Sequence, residues 1–275
     1  VSDGQQVGGA CVVGDYGFWL PHAMLWSGSP ESYVDLHPPA CLWSMAYAVS
    51  AKQQAGVGRY GTVDENGAVI GSAYHAFLWS GSAESSVDLN PTGFAGSFCY
   101  GVSDGQQVGR GGAPELPYFG ALLWYGSPES YVKLNPSGFS YSCAYAVCDG
   151  KQVGYGGITA EGWLGYHALL WSGTAESYVD LHSFLPSGYT RSEARGIDSD
   201  GNIVGIAWWC LDWFHNDYCK YAVMWVPLPD VPTVSTSPAT DVTKSSATLN
   251  GLLTDDGGEA CQCRFRYREE KGDYV

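Results

Sequence analysis

Short runs in which apolar and polar residues alternate make up most of the chain, and turn residues separate the runs. In the segment AYAVCDGKQVGYGG (144–157), two alternating runs flank Asp149-Gly150. Asp-Gly supplies the positive φ angles that a two-residue hairpin turn requires, so this segment predicts two antiparallel strands. The runs HALLW (167–171) and SYVDL (177–181), which a Ser/Gly-rich turn separates, predict a third and a fourth strand.

This four-strand pattern is repeated along the chain. Phrases related to VSDGQQVG occupy residues 1–8, 49–56, 102–109, 147–154 and 197–205. Near copies of HALLWSGTAESYVDLH (167–182) occupy residues 22–37, 75–90 and 120–135. A period of about 50 residues with four strands per unit is typical of propeller blades, since solenoid repeats are usually shorter or helical. The five units therefore predict an all-β fold in which residues 1–229 form a five-bladed β-propeller.

Side-chain size varies with the same period. The first strand of each later unit carries small residues at Ala46, Ala48, Gly101, Ala144, Ala146, Ala194 and Gly196. The third strand carries one tryptophan in every unit, at Trp26, Trp79, Trp124, Trp171 and Trp225. Blades are closest together at their inner strand and furthest apart at the rim, so this grading fits a propeller. We expect the tryptophans to be packed between blades.

The repeat stops after VPLPDVP (226–232), and residues 230–275 look like the opening of a fibronectin type III or Ig-like sandwich. ATLNGLLT (247–254) and CQCRFRYRE (261–269) alternate as its second and third strands. Such a module needs about 100 residues and seven strands, and the first repeat also lacks an inner strand before Val1. Two explanations stay open: neighbouring copies complete each other by donating strands into a head-to-tail fibre, or the sequence is a fragment of a longer protein.

The charge of the chain narrows the choice of partners. A formal net charge of −15 opposes binding to nucleic acid. No apolar run approaches the roughly 20 residues of a membrane-spanning helix. The absence of Met at position 1 suggests either removal of a secretion signal or a sequence recorded from its middle.

Nine cysteines without a CxxC pair favour disulfides in an oxidising compartment over metal binding. Cys210 and Cys219 could close a loop within one hairpin. Ser, Thr and Pro crowd residues 232–248, which predicts an extended connector with O-glycosylation candidates at Thr233, Ser235, Thr236, Ser237 and Thr240.

The repeated phrases AYAVCDGKQVG, HALLW and YVDL resemble the extracellular HAF-type repeats of bacteria, with their A-x-G-I-N, G-Q-V-V-G, H-A-F-L-W and D-L pattern. The resemblance covers about residues 1–229. It implies a secreted or surface β-propeller-like protein and brings no catalytic residues with it. The chain departs from the pattern where Gly120 and Tyr221 replace the histidine.

Two sets of repeated polar residues are candidates for metal binding. His22, His75 and His167 share one repeat position, which suggests either a metal ring or hydrogen-bonded structural histidines. Calcium could be held by carboxylates that recur around the fourth strand, namely Glu31, Glu84, Glu129 and Glu176 with Asp35, Asp88 and Asp180. Such carboxylates are usually a solvated rim, so we expect no cofactor.

The fifth unit departs most from the repeat. WWCLDWFHNDY (208–218) replaces the short polar loops of the other units. Its aromatic residues could stack on sugar rings or contact a protein. Alternatively, they could form a hydrophobic cluster that covers the last blade and is held by a disulfide. The candidate contact residues are Trp208, Trp209, Trp213, Phe214 and Tyr218.

No nucleophile elbow or HExxH motif is present, and every acidic residue of the repeats has counterparts in other units. We therefore expect a non-enzymatic extracellular structural protein, a subunit of a surface fibre or matrix whose partner is a copy of itself. The alternative is a carbohydrate-binding propeller module of a larger secreted protein. The third hypothesis is a propeller hydrolase.

Overall fold

The computed structural model describes residues 1–13, 19–63, 69–113, 118–160, 163–212, 217–227, 233–243 and 245–255. The chain divides into two compact units, Val1–Val226 and Pro227–Val275, compared with the boundary at 229/230 expected from the sequence. The described residues are all-β: they form strands in six antiparallel sheets, joined by turns and short 3-10 helices, with no α-helix among them.

The first unit contains five sheets, each formed by strands that are consecutive in the chain. They are β1 (Gln6–Val13), β2 (Trp19–Trp26) and β3 (Val34–Asp35); β4 (Trp43–Ser50), β5 (Gln53–Val63), β6 (Val69–Trp79) and β7 (Val87–Asp88); β8 (Ser97–Ser103), β9 (Gln106–Gly111), β10 (Gly120–Trp124) and β11 (Val132–Lys133); β12 (Tyr141–Cys148), β13 (Lys151–Ala160), β14 (Trp163–Trp171) and β15 (Val179–Asp180); and β16 (Tyr189–Ile197), β17 (Ile203–Asp212) and β18 (Asp217–Trp225).

The predicted strands within a unit are confirmed. In the fourth sheet, β12 pairs with β13 and β13 with β14, and the short β15 pairs with β14. A 3-10 helix precedes the last strand in each of the first four sheets, over Pro30–Ser32, Ala83–Ser85, Pro128–Ser130 and Ala175–Ser177. A fifth 3-10 helix, Leu181–Phe184, leads from β15 towards β16. Asp149 and Gly150 both have positive φ, at 47° and 73°, as a two-residue hairpin turn requires.

Small residues in the first strands of sheets two to five flank a β-bulge. The ladder shifts between Ala46 and Ala48, between Cys99 and Gly101, between Ala144 and Ala146, and between Ala194 and Gly196. First strands of consecutive sheets approach closely here, since a Cβ at Gly101 would lie 2.7 Å from the carbonyl oxygen of Tyr145 in the next sheet. The small residues are therefore needed for the close approach of the sheets.

The core of the first unit consists of four clusters, one between each pair of consecutive sheets. Trp79, Trp124 and Trp171 are fully buried, as predicted, whereas Trp26 and Trp225 in the terminal sheets are partly buried. Over the described residues, no extended contact joins the first sheet to the fifth. A closed ring requires such a contact, so the propeller stays a proposal.

The described part of the second unit is one two-stranded sheet, formed by β19 (Thr233–Thr240) and β20 (Thr248–Asp255). β20 matches the predicted second strand of the module, and the predicted third strand lies outside the described residues. The extended connector predicted over 232–248 is wrong in part, because residues 233–240 pair with β20 instead of linking domains as free chain. Ser235, Thr236, Ser237 and Thr240 are exposed on β19, and Thr233 begins it.

Candidate functional site

The interface between consecutive sheets is built around a buried serine. In each case the backbone N–H of an alanine in the strand before the short outer strand of one sheet donates to the hydroxyl of a serine in the first strand of the next sheet. The pairs are Ala23 with Ser44 (2.9 Å), Ala76 with Ser97 (3.0 Å), Ala121 with Ser142 (2.8 Å) and Ala168 with Ser192 (3.0 Å).

Each of these serines has a second partner in the preceding sheet. The partner follows the short fourth strand and is His37 for Ser44 (2.9 Å), Asn90 for Ser97 (2.8 Å), Asn135 for Ser142 (2.6 Å) and His182 for Ser192 (2.8 Å). His37 donates from Nε2 to the carbonyl of Cys41, so its Nδ1 accepts from Ser44. We call the alanine, the serine and the His or Asn together the serine bridge.

The three repeat histidines are bound to aspartates of their own sheets. Nδ1 lies 2.8 Å from Oδ2 between His22 and Asp35, 2.7 Å between His75 and Asp88, and 2.7 Å between His167 and Asp180. Gly120 replaces the histidine of the third sheet, and Lys133 stands at the position of its aspartate. The histidine and the aspartate are therefore replaced together, which fits the hydrogen-bonded structural histidine and gives no ring of convergent ligands.

The predicted calcium carboxylates are divided between two environments. Asp180 accepts from His167 and from the backbone N–H of His182. Burial alone would raise the pKa of Asp180, but these hydrogen bonds and the nearby histidine charges hold it below its usual value. Asp35 and Asp88 accept an equivalent pair of bonds. The glutamates are exposed in the 3-10 helices.

On the fifth sheet, the face that corresponds to the contact between consecutive sheets is uncovered. The register pairs Val204 with Met224, Ile206 with Ala222 and Trp208 with Lys220, and cross-strand partners share a face. We call these six residues the open face. Val204 is 49% exposed and Met224 63% exposed.

In the earlier sheets the equivalent residues are covered. The counterparts of Val204 and Met224 in the third sheet, Val108 and Leu123, are 0% exposed because the first strand of the fourth sheet packs on them. Ala222 is exposed, whereas Ala168 at the same position donates its N–H to Ser192. The open face is therefore an inter-sheet contact surface without its partner among the described residues of the first unit.

Of the predicted contact residues of the fifth unit, Trp208, Trp209 and Tyr218 lie in the paired strands β17 and β18. Trp208 belongs to the open face, with the Lys220 ammonium 5.9 Å from its ring centre. Trp209 packs edge-on against Tyr189, with ring centres 5.2 Å apart. Tyr218 lies in β18, and Trp213 and Phe214 lie outside the described residues.

The predicted disulfide between Cys210 and Cys219 is not formed. Cys219 is a free cysteine, and the register pairs Cys219 with Trp209 and Cys210 with Tyr218. Cys11, Cys41, Cys99, Cys143 and Cys148 are free as well. The described cysteines therefore do not support the disulfide argument for an oxidising compartment.

Several interface residues were not singled out from the sequence. The serines of the serine bridge recur at a fixed place in the first strand, two residues before the bulge-flanking small residue, and that periodic signal could have identified them. Arg110 has no charged counterpart in the other repeats, so only its departure from the uncharged residues at the equivalent positions could have identified it.

No family model matches the chain, and no curated protein matches it. The described residues contain no helix with the length and hydropathy needed to cross a bilayer.

Proposed function

We propose that this protein is a non-enzymatic extracellular structural module that assembles head to tail, with the open face of one copy accepting a strand from the next copy. The observation that carries the proposal is the exposure of Val204 and Met224 at positions that are fully buried in the third sheet. Exposed apolar sheet faces and edges of this kind favour the addition of another strand.

The four internal interfaces indicate what the open face would accept. The incoming strand would carry a serine opposite the backbone N–H of Ala222, and small residues at its bulge. The first sheet has three strands in the order β1-β2-β3, so β1 lies at its edge. A donated strand could pair along β1, which is consistent with copies that complete one another.

The assignment of the five sheets to a β-propeller is part of this proposal. We infer that the five sheets are propeller blades, because their first strands lie next to one another and carry the small residues, while the tryptophans are in the third strands. The array is completed by a neighbouring copy instead of by contact between its own first and fifth sheets. The Ig-like second unit, the membership of the HAF-type repeat family and O-glycosylation of β19 are supported by sequence pattern alone.

The test of assembly is sedimentation velocity and negative-stain microscopy of the whole chain over a range of concentrations. We expect concentration-dependent oligomers that Val204→Asp abolishes, since a charge on the open face would be buried without a partner. Val179→Asp is the matched control, because Val179 is 41% exposed on the short outer strand of the fourth sheet. A chain that stays monomeric at high concentration, or oligomers that Val204→Asp leaves intact, would contradict the proposal.

A second candidate function, carbohydrate binding, is supported by a different observation. Tyrosines surround Arg110 in a pocket at the interface between the third and fourth sheets.

A further inference from the structure

A pocket of about 380 Å³ lies at the interface between the third and fourth sheets. We call it the Arg110 pocket. Arg110 comes from β9 of the third sheet, and Phe119 comes from the segment before β10. Tyr141, Tyr155 and Tyr166 come from the fourth sheet. Tyr118, which is 56% exposed, lies at its opening. The volume lies within the range of roughly 300–1,000 Å³ that is typical of sites for small organic ligands.

Arg110 is an unusual residue for its position. The equivalent residues of the other sheets are Gly9, Val57, Tyr155 and Ile206, none of which is charged. The guanidinium lies 5.0 Å from the ring centre of Phe98 and 5.4 Å from that of Phe119. Its Nε is buried without an acceptor, and no carboxylate of the described chain forms an ion pair with it.

This charge environment favours an anionic ligand. The partners of the guanidinium are aromatic rings and the neutral Tyr100 hydroxyl, so this partly buried cation would gain from a negatively charged partner. The described lining residues include no Asp or Glu. Glu193 in the fifth sheet, whose charge acts on Tyr155, is paired with Arg195, and the Arg195 guanidinium lies over Tyr145.

The tyrosine hydroxyl groups of the pocket are neutral and lie close to one another. Burial, with smaller contributions from nearby charges, raises the pKa of Tyr155 to about 12, so its hydroxyl keeps its proton at neutral pH. The Tyr141 hydroxyl is buried beside the Tyr166 hydroxyl, and burial with this contact raises the pKa of Tyr141. The Ser142 hydroxyl is already engaged, since it accepts from Ala121 and donates to Asn135.

The shape of the walls points to a sugar ring bearing the acid. Tyr166 is nearly perpendicular to both Tyr141 and Tyr155, at interplanar angles of 80° and 85°. The walls therefore offer ring faces for the C–H groups of a pyranose and hydroxyls for its polar rim. A flat aromatic acid would satisfy Arg110 but would leave the tyrosine hydroxyls unpaired.

We propose that the Arg110 pocket binds a hexuronate residue of an acidic polysaccharide, with the sugar carboxylate on Arg110 and the pyranose ring against the tyrosines. The pocket lies away from the open face, so this binding does not depend on the self-assembly proposed above.

The test is calorimetric titration of the whole chain with a galacturonate trimer and, as the neutral match, a galactose trimer. We expect binding of the acidic trimer only, and at least about a tenfold loss of affinity in Arg110→Val, because a charge-assisted hydrogen bond is removed. Valine is the residue found at the equivalent position of the second sheet, Val57, where it is fully buried. Near-UV circular dichroism of Arg110→Val checks that its packing is retained.

Arg59→Val is the control for loss of an arginine. Arg59 lies over the ring of Tyr74 and also has a buried Nε without an acceptor, but it is not among the residues that line the pocket. We expect Arg59→Val to bind the acidic trimer with unchanged affinity. The proposal is overturned if the acidic trimer does not bind, if the neutral trimer binds equally well, or if Arg110→Val binds like the unmodified chain. Equal binding of benzoate would overturn the assignment of a sugar.

Discussion

At the scale of single residues, the two-residue hairpin turns between the first two strands of the second, third and fourth sheets require positive φ. The third and fourth sheets use Asp-Gly here, at Asp104-Gly105 and Asp149-Gly150, but the second sheet uses Ala51 and Lys52 at φ of 46° and 70°. A side chain in the left-handed region costs roughly 1–2 kcal/mol. We expect Lys52→Gly to raise the free energy of unfolding by about 0.5–1 kcal/mol, because greater freedom of the unfolded chain offsets part of the gain. Urea denaturation measures the change.

The third sheet provides the reverse substitution as a control. Gly105 has φ of 75° and open space around its Cβ position, so Gly105→Lys introduces backbone strain without a steric clash. Its free energy of unfolding should fall by a similar amount. If Lys52→Gly is neutral while Gly105→Lys destabilises, the Ala51-Lys52 turn is not strained.

Residue-level features could be predicted from the sequence where the cause is local. Asp149-Gly150 predicts its turn because the φ requirement belongs to those two residues. Arg110 could not be interpreted in this way, since its meaning depends on Phe98, Phe119 and Tyr155, which fold topology brings together. The disulfide prediction failed for a similar reason: Cys210 and Cys219 are close in sequence, but the strand register decides their partners.

At the scale of elements, the serine bridge joins each sheet to the next and makes the junction sensitive to pH where its third member is histidine. Burial and the nearby His167 lower the pKa of His182 below its usual 6.5. The unfolded chain therefore takes up this proton at higher pH than the folded chain does. The stabilisation is present above about pH 6.5 and is lost as the pH falls towards the folded pKa.

We expect His182→Asn to flatten the fall in stability between about pH 6.5 and pH 5. The slope of the free energy of unfolding should decrease by at most about 1.4 kcal/mol per pH unit, the effect of one proton. Asparagine preserves the bond to serine, as Asn90 and Asn135 do in the second and third sheets. Denaturant titrations at a series of pH values measure the slope.

Asn135→His is the reciprocal variant, and it should steepen the same part of the pH profile. His37, whose pKa is also lowered by burial and by the adjacent His22, stays in both variants and provides a constant background. An unchanged profile in both variants would show that the histidines of the serine bridge are not responsible for acid sensitivity.

The order of strands within each sheet was predictable, because hairpins join residues that are close in the chain. The contacts that each sheet makes with the next sheet were not predictable. The phrase ending in VDLH predicts a short strand, but the role of His182 beyond it depends on Ser192 of the next sheet. Likewise, the repeat pattern gives Val204 and Val108 the same role, and only the packing of a following sheet distinguishes their exposure.

At the scale of the first unit, each sheet is covered by the next sheet in the chain, so the two terminal sheets are not equivalent. Leu25 in the first sheet is 4% exposed and Leu123 in the third is 0% exposed, whereas Met224 at the same position of the fifth sheet is 63% exposed. In an array of this kind, stability is approximately a sum over neighbouring interfaces. The cost of truncating the side chain therefore depends on whether a following sheet covers it.

We expect Leu123→Ala and Leu25→Ala each to lower the free energy of unfolding by about 2–5 kcal/mol, because each leaves a cavity under the following sheet. Met224→Ala should cost no more than about 0.5 kcal/mol, as is usual for an exposed position. Denaturation at concentrations where the chain is monomeric measures all three. Leu25→Ala is the control for position, since the first sheet is terminal but covered. A cost for Met224→Ala that equals the other two would mean that the open face is covered in the monomer, and self-assembly through it would then have to displace that cover.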